Sequence, residues 1–218
     1  MIDHNHKFIY IHIPKTGGTS IEHTLAKKCG TDLEKNELYG LEDLNGKRLP
    51  FNDTMHRLKS KKTSWRHIRC LQHLTSNEIK QRYENQIWSE YYKFTVVRNP
   101  WDELVSTYNY IKNKRPDLCT KKFTTFKEWV INIKNTNRQT RYILDKNNQT
   151  MVDFIARFEN IQSDFNTICK TIGIPEHTLP HANKTNHKHY TEYYDDELVQ
   201  IVASKFAVDI RYLNYTYE

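Results

Sequence analysis

An α/β fold built on a central parallel sheet is what this sequence predicts, and three observations carry the prediction. Two runs rich in β-branched and aromatic residues, Phe8 to Ile13 and Tyr92 to Val97, are apolar at nearly every position, as strands buried on both faces of a parallel sheet are. Each run stops just before a proline and leads into a segment with helical periodicity. The chain has 218 residues, enough for one well-buried α/β domain and few for two. Residues 1–218 are therefore expected to form a single domain, with 31–64 as its variable and least legible part.

The first element sets the pattern. The stretch Ile9 to Ser20 reads I-Y-I-H-I-P-K-T-G-G-T-S. Its strand breaks at Pro14, and Gly17 and Gly18 let the backbone turn tightly and approach a ligand with no Cβ in the way. Thr19 and Ser20 are expected to open the following helix, Ile21 to about Cys29, with Ile21 and Leu25 on one face. A strand, a glycine turn and a helix N-terminus bring several N–H groups and the positive helix end to one point, which suits a phosphate. Lys15, Thr16, Gly17, Gly18, Thr19 and Ser20 are the expected binding residues. In the Walker A pattern the lysine follows the glycines. Here it precedes them, so its ammonium is expected at the outer edge of a bound phosphate.

Thr31 to Ser64 is polar and poorly periodic, and its basic run Lys59, Lys61 and Lys62 reads chiefly as a solvated face. Trp65 to Leu71 is expected as a short strand. His73 follows at a loop-to-helix junction, because Thr75 and Glu78 form a capping box for a helix to about Glu84. The Tyr92–Val97 strand ends in Arg98-Asn99-Pro100, and Pro100 suits the first turn of the next helix. There Leu104, Val105, Tyr108 and Ile111 mark an apolar face, with Ser106 off it. A P-loop NTPase would be expected to place a metal-binding aspartate near such a strand end; an arginine points to an anion clamp instead. Thr125 and Glu128 form a second capping box for a helix through about Lys134. Met151 to Phe158 is expected as a third strand, and Glu159 to Ile172 as a helix ended by Gly173 and Pro175. His187 and His189 lie in Leu179–Tyr194 without the spacing of a metal site. Asp195 is expected to cap a final helix with Leu198, Ile201, Val202 and Phe206 inward.

The order P-K-T-G-G-T-S resembles the 5′-phosphosulfate loop of sulfotransferases that use 3′-phosphoadenosine 5′-phosphosulfate (PAPS). The run F-T-V-V-R-N-P-W-D-E-L-V-S-T-Y is similar to their 3′-phosphate-binding segment, with Arg98 and Ser106 at its phosphate-contacting positions. Its W-D-x-L-V-S-x-Y form, together with D-F-I-A-R-F-E-N and D-F-N-T-I-C, resembles the carbohydrate-type branch that includes bacterial enzymes. Glu103 stands where that branch carries arginine, a departure expected to alter only a surface pairing. The resemblance covers most of the chain, Thr31–Ser64 excepted. It implies a three-layer α/β/α, P-loop-like fold and transfer of a sulfuryl group from PAPS to a hydroxyl or amine of an acceptor, a carbohydrate or polysaccharide, releasing adenosine 3′,5′-bisphosphate (PAP). No metal is required. Lys15 and His73 are the implied catalytic residues, His73 as the base because its ring titrates near neutrality and H-L-T matches the family's histidine segment; His67 and Glu22 are weaker choices. Lys184 and Thr185 fall where the family closes a loop over the nucleotide.

Composition narrows the alternatives. Thirty-three Lys+Arg against 26 Asp+Glu give a formal charge of +7, which favours an anionic ligand or acceptor. No apolar run approaches the roughly 18 residues of a membrane span, and Met1–Lys7 has no signal-peptide character. Cys29, Cys70, Cys119 and Cys169 are scattered and read as reduced thiols of a cytoplasmic protein. Two other classes remain open on the sequence: a P-loop-type nucleotide kinase and a non-enzymatic polyanion binder. The basic residues are dispersed rather than interleaved with aromatics along one stripe, so nucleic acid is not the expected partner.

Overall fold

The computed structural model describes residues 1–50, 54, 68–83, 85–114, 123–133, 139–180 and 188–218. In chain order the elements are β1 (Ile2–Asp3), β2 (Phe8–Ile11), α1 (Gly18–Cys29), β3 (Leu41–Asp43), β4 (Arg48–Leu49), β5 (Ile68–Cys70), α2 (Ser76–Arg82), α3 (Asn85–Glu90), β6 (Tyr92–Val97), α4 (Pro100–Lys114), α5 (Phe126–Asn132), α6 (Thr140–Ile143), β7 (Phe154–Arg157), α7 (Ile161–Thr171), α8 (Asp196–Lys205) and α9 (Ala207–Leu213).

The central sheet has the order β1-β2-β6-β7. Strands β2, β6 and β7 run parallel, in the registers Phe8↔Tyr92 and Phe94↔Phe154. The antiparallel edge strand β1 pairs Ile2 with Ile9. That edge is made from the polar-looking start of the chain, whose Met1 and Ile2 are buried. Alternation along the strands divides the core into two layers, one on each face of the sheet. Phe8, Tyr10, Phe94 and Val96 pack with Ile21 and Leu25 of α1 and Phe165 and Ile168 of α7. Ile9, Ile11 and Val97 pack on the other face with Leu104 and Val105 of α4, Trp129 and Val130 of α5, and Leu198 and Val202 of α8. This is the expected three-layer α/β/α architecture with a central parallel sheet.

Both capping boxes form, with Thr75 and Thr125 each accepting from the N3 amide and Glu78 and Glu128 each reaching back. Asp195 caps α8 by accepting from the Leu198 amide. Helix α1 departs from expectation at its start. It begins at Gly18 with Gly17 as a left-handed N-cap and no side-chain cap bond, so the turn itself starts the helix. The third strand is shorter than Met151–Phe158, because the chain turns through a 3-10 segment at Phe158–Asn160 before α7. The poorly legible stretch contributes β3 and β4 to a separate antiparallel sheet of order β4-β3-β5.

One buried network joins the far end of the chain to the sheet. Asp209 of α9 accepts from the Gln139 amide at 2.7 Å and the Thr140 amide at 3.0 Å, and from the Thr140 hydroxyl. Gln139 accepts from the Arg98 amide at 2.8 Å and donates to the Arg98 carbonyl at 2.6 Å. The backbone at the exit of β6 is thus held by a side chain bonded to both of its polar groups. Asp209→Ala should leave buried amides unmet at about 1–3 kcal/mol each. Urea unfolding should show a loss of about 2–5 kcal/mol, against less than about 0.5 kcal/mol for Val208→Ala on the exposed side of the same helix.

Candidate functional site

Three parallel strands end at one rim of the sheet, and each delivers a functional segment there. Strand β2 leads through Pro14 to Lys15 and the glycine turn, β6 leads to Arg98, and β7 leads to Phe158. Ligands of parallel α/β sheets bind at this edge, where loops diverge from the carboxyl ends of the strands.

The glycine turn is shaped by what surrounds it. Gly17 has φ +85°, and a Cβ there would lie 3.1 Å from the Phe158 ring and 3.2 Å from Ile161 Cδ1. A Cβ on Gly18 would lie 2.1 Å from atoms of the His12 ring, closer than packed atoms approach. Both positions exclude a side chain, and Lys15 itself is left-handed at φ +67°. The buried Thr16 turns its hydroxyl inward to donate to the Ile13 carbonyl at 2.8 Å. Thr19 and Ser20 lie half-buried in the first turn of α1. This cradle of main chain at a helix start, flanked by Lys15 and Arg98, fits an anionic group.

Arg98 is buried and held on several sides. Its Nε donates to Asp102 Oδ2 at 2.7 Å, and an Nη1–H donates to the Lys15 carbonyl at 3.2 Å. Its guanidinium lies 4.1 Å from the centre of the Phe158 ring, a cation–π contact. The following residue caps the turn into α4: Asn99 accepts from the Trp101 amide, while its own amide donates to Glu159 Oε1 at 2.6 Å. Ser106 is buried two turns along α4. Lys15 Nζ rests 4.2 Å from the ring centre of the exposed Tyr110 on the same helix.

Glu103 corrects the expectation of a surface pairing. It is buried, and its Oε1 accepts from the Thr107 hydroxyl at 2.7 Å. Burial pushes its carboxyl up to about 7, against the opposing pull of the Thr107 bond, Arg98 and Lys15. Lys15 in turn is pushed down to about 8, first by burial and then by the charge of Arg98, with Glu103 opposing. Two cations and one poised carboxyl therefore share the mouth of the cradle.

His73 stands at the end of a 3-10 turn, Leu71–His73, that continues from β5. Its Nδ1 lies 3.1 Å from the His12 carbonyl and donates to it, so the neutral ring keeps its lone pair on Nε2. The expectation of titration near neutrality is corrected. Burial, followed by the adjacent His12, pushes the His73 ring down to about 4. Glu22 is buried at 1% exposure beside His12, 3.0 Å from its Nδ1. The His67, Lys184 and Thr185 expectations lie outside the described residues, as do Lys59, Lys61, Lys62 and Cys119.

The protein-family comparison decides what this arrangement belongs to. A model described as the sulfotransferase family matches residues 1–216. The chain belongs to the sulfotransferase family. As a member of it the protein is a transferase. It is similar to an uncharacterized protein of Archaeoglobus fulgidus, 32% identical over 100 residues that span 45% of this chain and 81% of that one. A crystal structure of a sulfotransferase from Alicyclobacillus acidocaldarius aligns over 95% of this chain and 94% of that one, with 14% identity and a TM-score of 0.44. Among the described residues of this sulfotransferase, no helix is long and apolar enough to cross a membrane.

Residue-by-residue reading of the sequence missed several residues that the fold gathers at this rim: His12, Tyr110, Gln139, Phe158 and Glu159. Two signals were present. His12 is a polar residue inside an otherwise apolar strand run, and Glu159 lies within the R-F-E-N word that matches the family. Nothing local marks Tyr110 or Gln139, whose partners are distant in sequence.

The shifted groups set a pH window. His73 is unprotonated above about 4, so any role as a base is lost as pH falls through that value. Lys15 is cationic below about 8, so its charge is lost as pH rises through that value. In a sulfuryl-transfer assay kcat/KM, which reports the free enzyme, should be flat between these limits and fall outside them. An acid limb near 6.5 would show a base with an ordinary histidine environment.

Proposed function

We propose that this sulfotransferase moves a sulfuryl group from PAPS to a hydroxyl, or an amine, of a carbohydrate acceptor in the cytoplasm and releases PAP. The observation that carries the reading is the convergence of Lys15, the side-chain-free Gly17–Gly18 turn and Arg98 at the carboxyl ends of parallel strands, with Arg98 bonded to the loop backbone. An anionic donor with phosphate at two ends matches two separated cations on one main-chain cradle. The carbohydrate class is supported by the W-D-E-L-V-S and R-F-E-N words and by the positive net charge.

In this reading the amides of the turn and the first residues of α1 hold the 5′-phosphate, with Thr16, Thr19 and Ser20 lining it. Thr16 contributes through its main chain, since its hydroxyl is committed to Ile13. Arg98 and Ser106 hold the 3′-phosphate, and the family resemblance assigns Lys184 and Thr185 to contact with the nucleotide. The acceptor oxygen forms a new bond to sulfur while the bond from sulfur to the bridging oxygen breaks. Lys15 leaves the Tyr110 face to neutralise the charge that collects on that oxygen, and His73 Nε2 takes the acceptor proton. Catalysis comes from positioning and charge stabilisation, with no metal required.

Calorimetry should show PAP binding much more tightly than AMP. Arg98→Ala should lose about tenfold to a hundredfold of that preference, the worth of a charge-assisted bond at roughly 1.5–3 kcal/mol. Equal binding of AMP and PAP by the wild type would exclude PAPS as donor.

Lys15→Ala should lower kcat by at least about a hundredfold, as removal of a transition-state charge donor does. Binding of PAP should change far less, because the product carries no breaking bond. A change confined to KM for PAPS would reduce Lys15 to a binding residue. Mass spectrometry of acceptors incubated with enzyme and PAPS identifies the acceptor class. Sulfated oligosaccharides are expected, and sulfation of phenols or steroids alone would overturn the carbohydrate reading.

A further inference from the structure

Behind His73 lies a buried polar cluster that the transfer chemistry described above does not use. His12, at 5% exposure, packs its ring against Gly18 on one side and stacks on Tyr10 at 5.7 Å on another. Its Nδ1 is 3.0 Å from Glu22 Oε2, and that oxygen accepts a hydrogen bond from Gln72 Nε2 at 3.2 Å. Despite that approach, His12 Nδ1 makes no hydrogen bond of regular geometry. Glu22 Oε1 and the Tyr10 hydroxyl are likewise buried with no hydrogen-bond partner. The edge of the His12 ring meets the His73 ring at 4.7 Å and 74°, and the His12 carbonyl accepts from His73 Nδ1 at 3.1 Å.

This arrangement is costly for stability alone. A buried carboxylate requires a counter-charge, and a buried pair with unsatisfied atoms is commonly outdone by apolar side chains of the same volume. Glu22 responds as a charged group would. Burial favours its neutral form, yet contact with His12, with further contributions from the Met1 amino group and Gln72, holds its carboxyl below the ordinary value.

We propose that His12 and Glu22 form a buried imidazolium–carboxylate pair that acts as a positioning pair for His73, aiming its ring through the His12 carbonyl and ring edge and placing beside it a positive charge that keeps the Nε2 lone pair open. The inference deepens the reading of His73 as the base and rests on it. The charged groups bearing on His73 are His12 from the end of β2, Glu22 from α1 and the Met1 amino group beside β1. His12 touches the His73 ring, so its repulsion of a second proton outweighs the opposite effect of Glu22 behind it. The same His12 ring fills the space beside Gly18, so the pair also couples the base to the donor loop.

The test is a pH titration of the histidine ring signals by NMR on the full chain, read without turnover. In the wild type at neutral pH, His12 should be doubly protonated, and His73 should be neutral with its proton on Nδ1. Glu22→Gln should convert His12 to the neutral ring, and both Glu22→Gln and His12→Gln should raise the His73 midpoint by at least about one pH unit. The acid limb of kcat/KM should move up in parallel, and Glu22→Asp should restore part of it. A purely structural pair would lower thermal stability without moving that limb. A wild-type His12 that is neutral at pH 7 overturns the pair without recourse to any variant, as does an unmoved His73 midpoint in folded variants. A fully active His73→Ala enzyme overturns the base reading itself, and with it the purpose assigned to the pair.

Discussion

The bond from Arg98 to the Lys15 carbonyl is the contact on which the site depends. It ties the exit of β6 to the loop after β2, so two segments more than eighty residues apart form one surface. Arg98 is held in turn by Asp102 along α4, by the Phe158 ring after β7, and by Gln139 through its own backbone. A guanidinium oriented on so many sides loses little further freedom on meeting an anion, which is the benefit of preorganisation. The helices that look remote from the rim share in this. Asp209 of α9 holds Gln139, and Tyr215 donates to the same Glu159 that receives the Asn99 amide.

Electrostatics at the rim follow from desolvation as much as from charge. Lys15 and Arg98 face one another's field in a partly water-excluded mouth, and this lowers the affinity of Lys15 for its proton. Burial raises the Glu103 carboxyl to about 7, and its charge, where present, opposes the downward shift of Lys15. His73 occupies a different environment, half-buried against His12, where loss of water acts against the imidazolium. Both groups are pushed down, Lys15 to about 8, where it is still cationic at pH 7, and His73 to about 4, where its ring is neutral.

The strands, the helices with capping boxes and the glycine turn were legible because their causes are local. Tyr92–Val97 is a strand by β-branched and aromatic content, and Thr75–Glu78 and Thr125–Glu128 cap helices through bonds three residues apart. Glu103 was misjudged for a complementary reason. Its spacing places it beside solvent-facing positions on an isolated helix, and only packing of α4 against the rim buries it. The stretch after Thr31 was obscure because β3 and β4 are two or three residues long, and β3, the centre of their sheet, pairs also with the distant β5. Yet that small sheet carries the chain to His73.

By itself the sequence determined the α/β class, the phosphate-type turn with its preceding lysine, and the arginine at a strand end. Each is written in a run of neighbouring residues whose backbone preferences and periodicity are intrinsic. Tertiary structure alone decided that the His12 ring presses on Gly18, that Glu22 lies beneath it, and that Gln139 clasps Arg98. It also decided the charge states at the rim, because a pKa follows from burial and from neighbours brought together by folding, and neither exists along an extended chain.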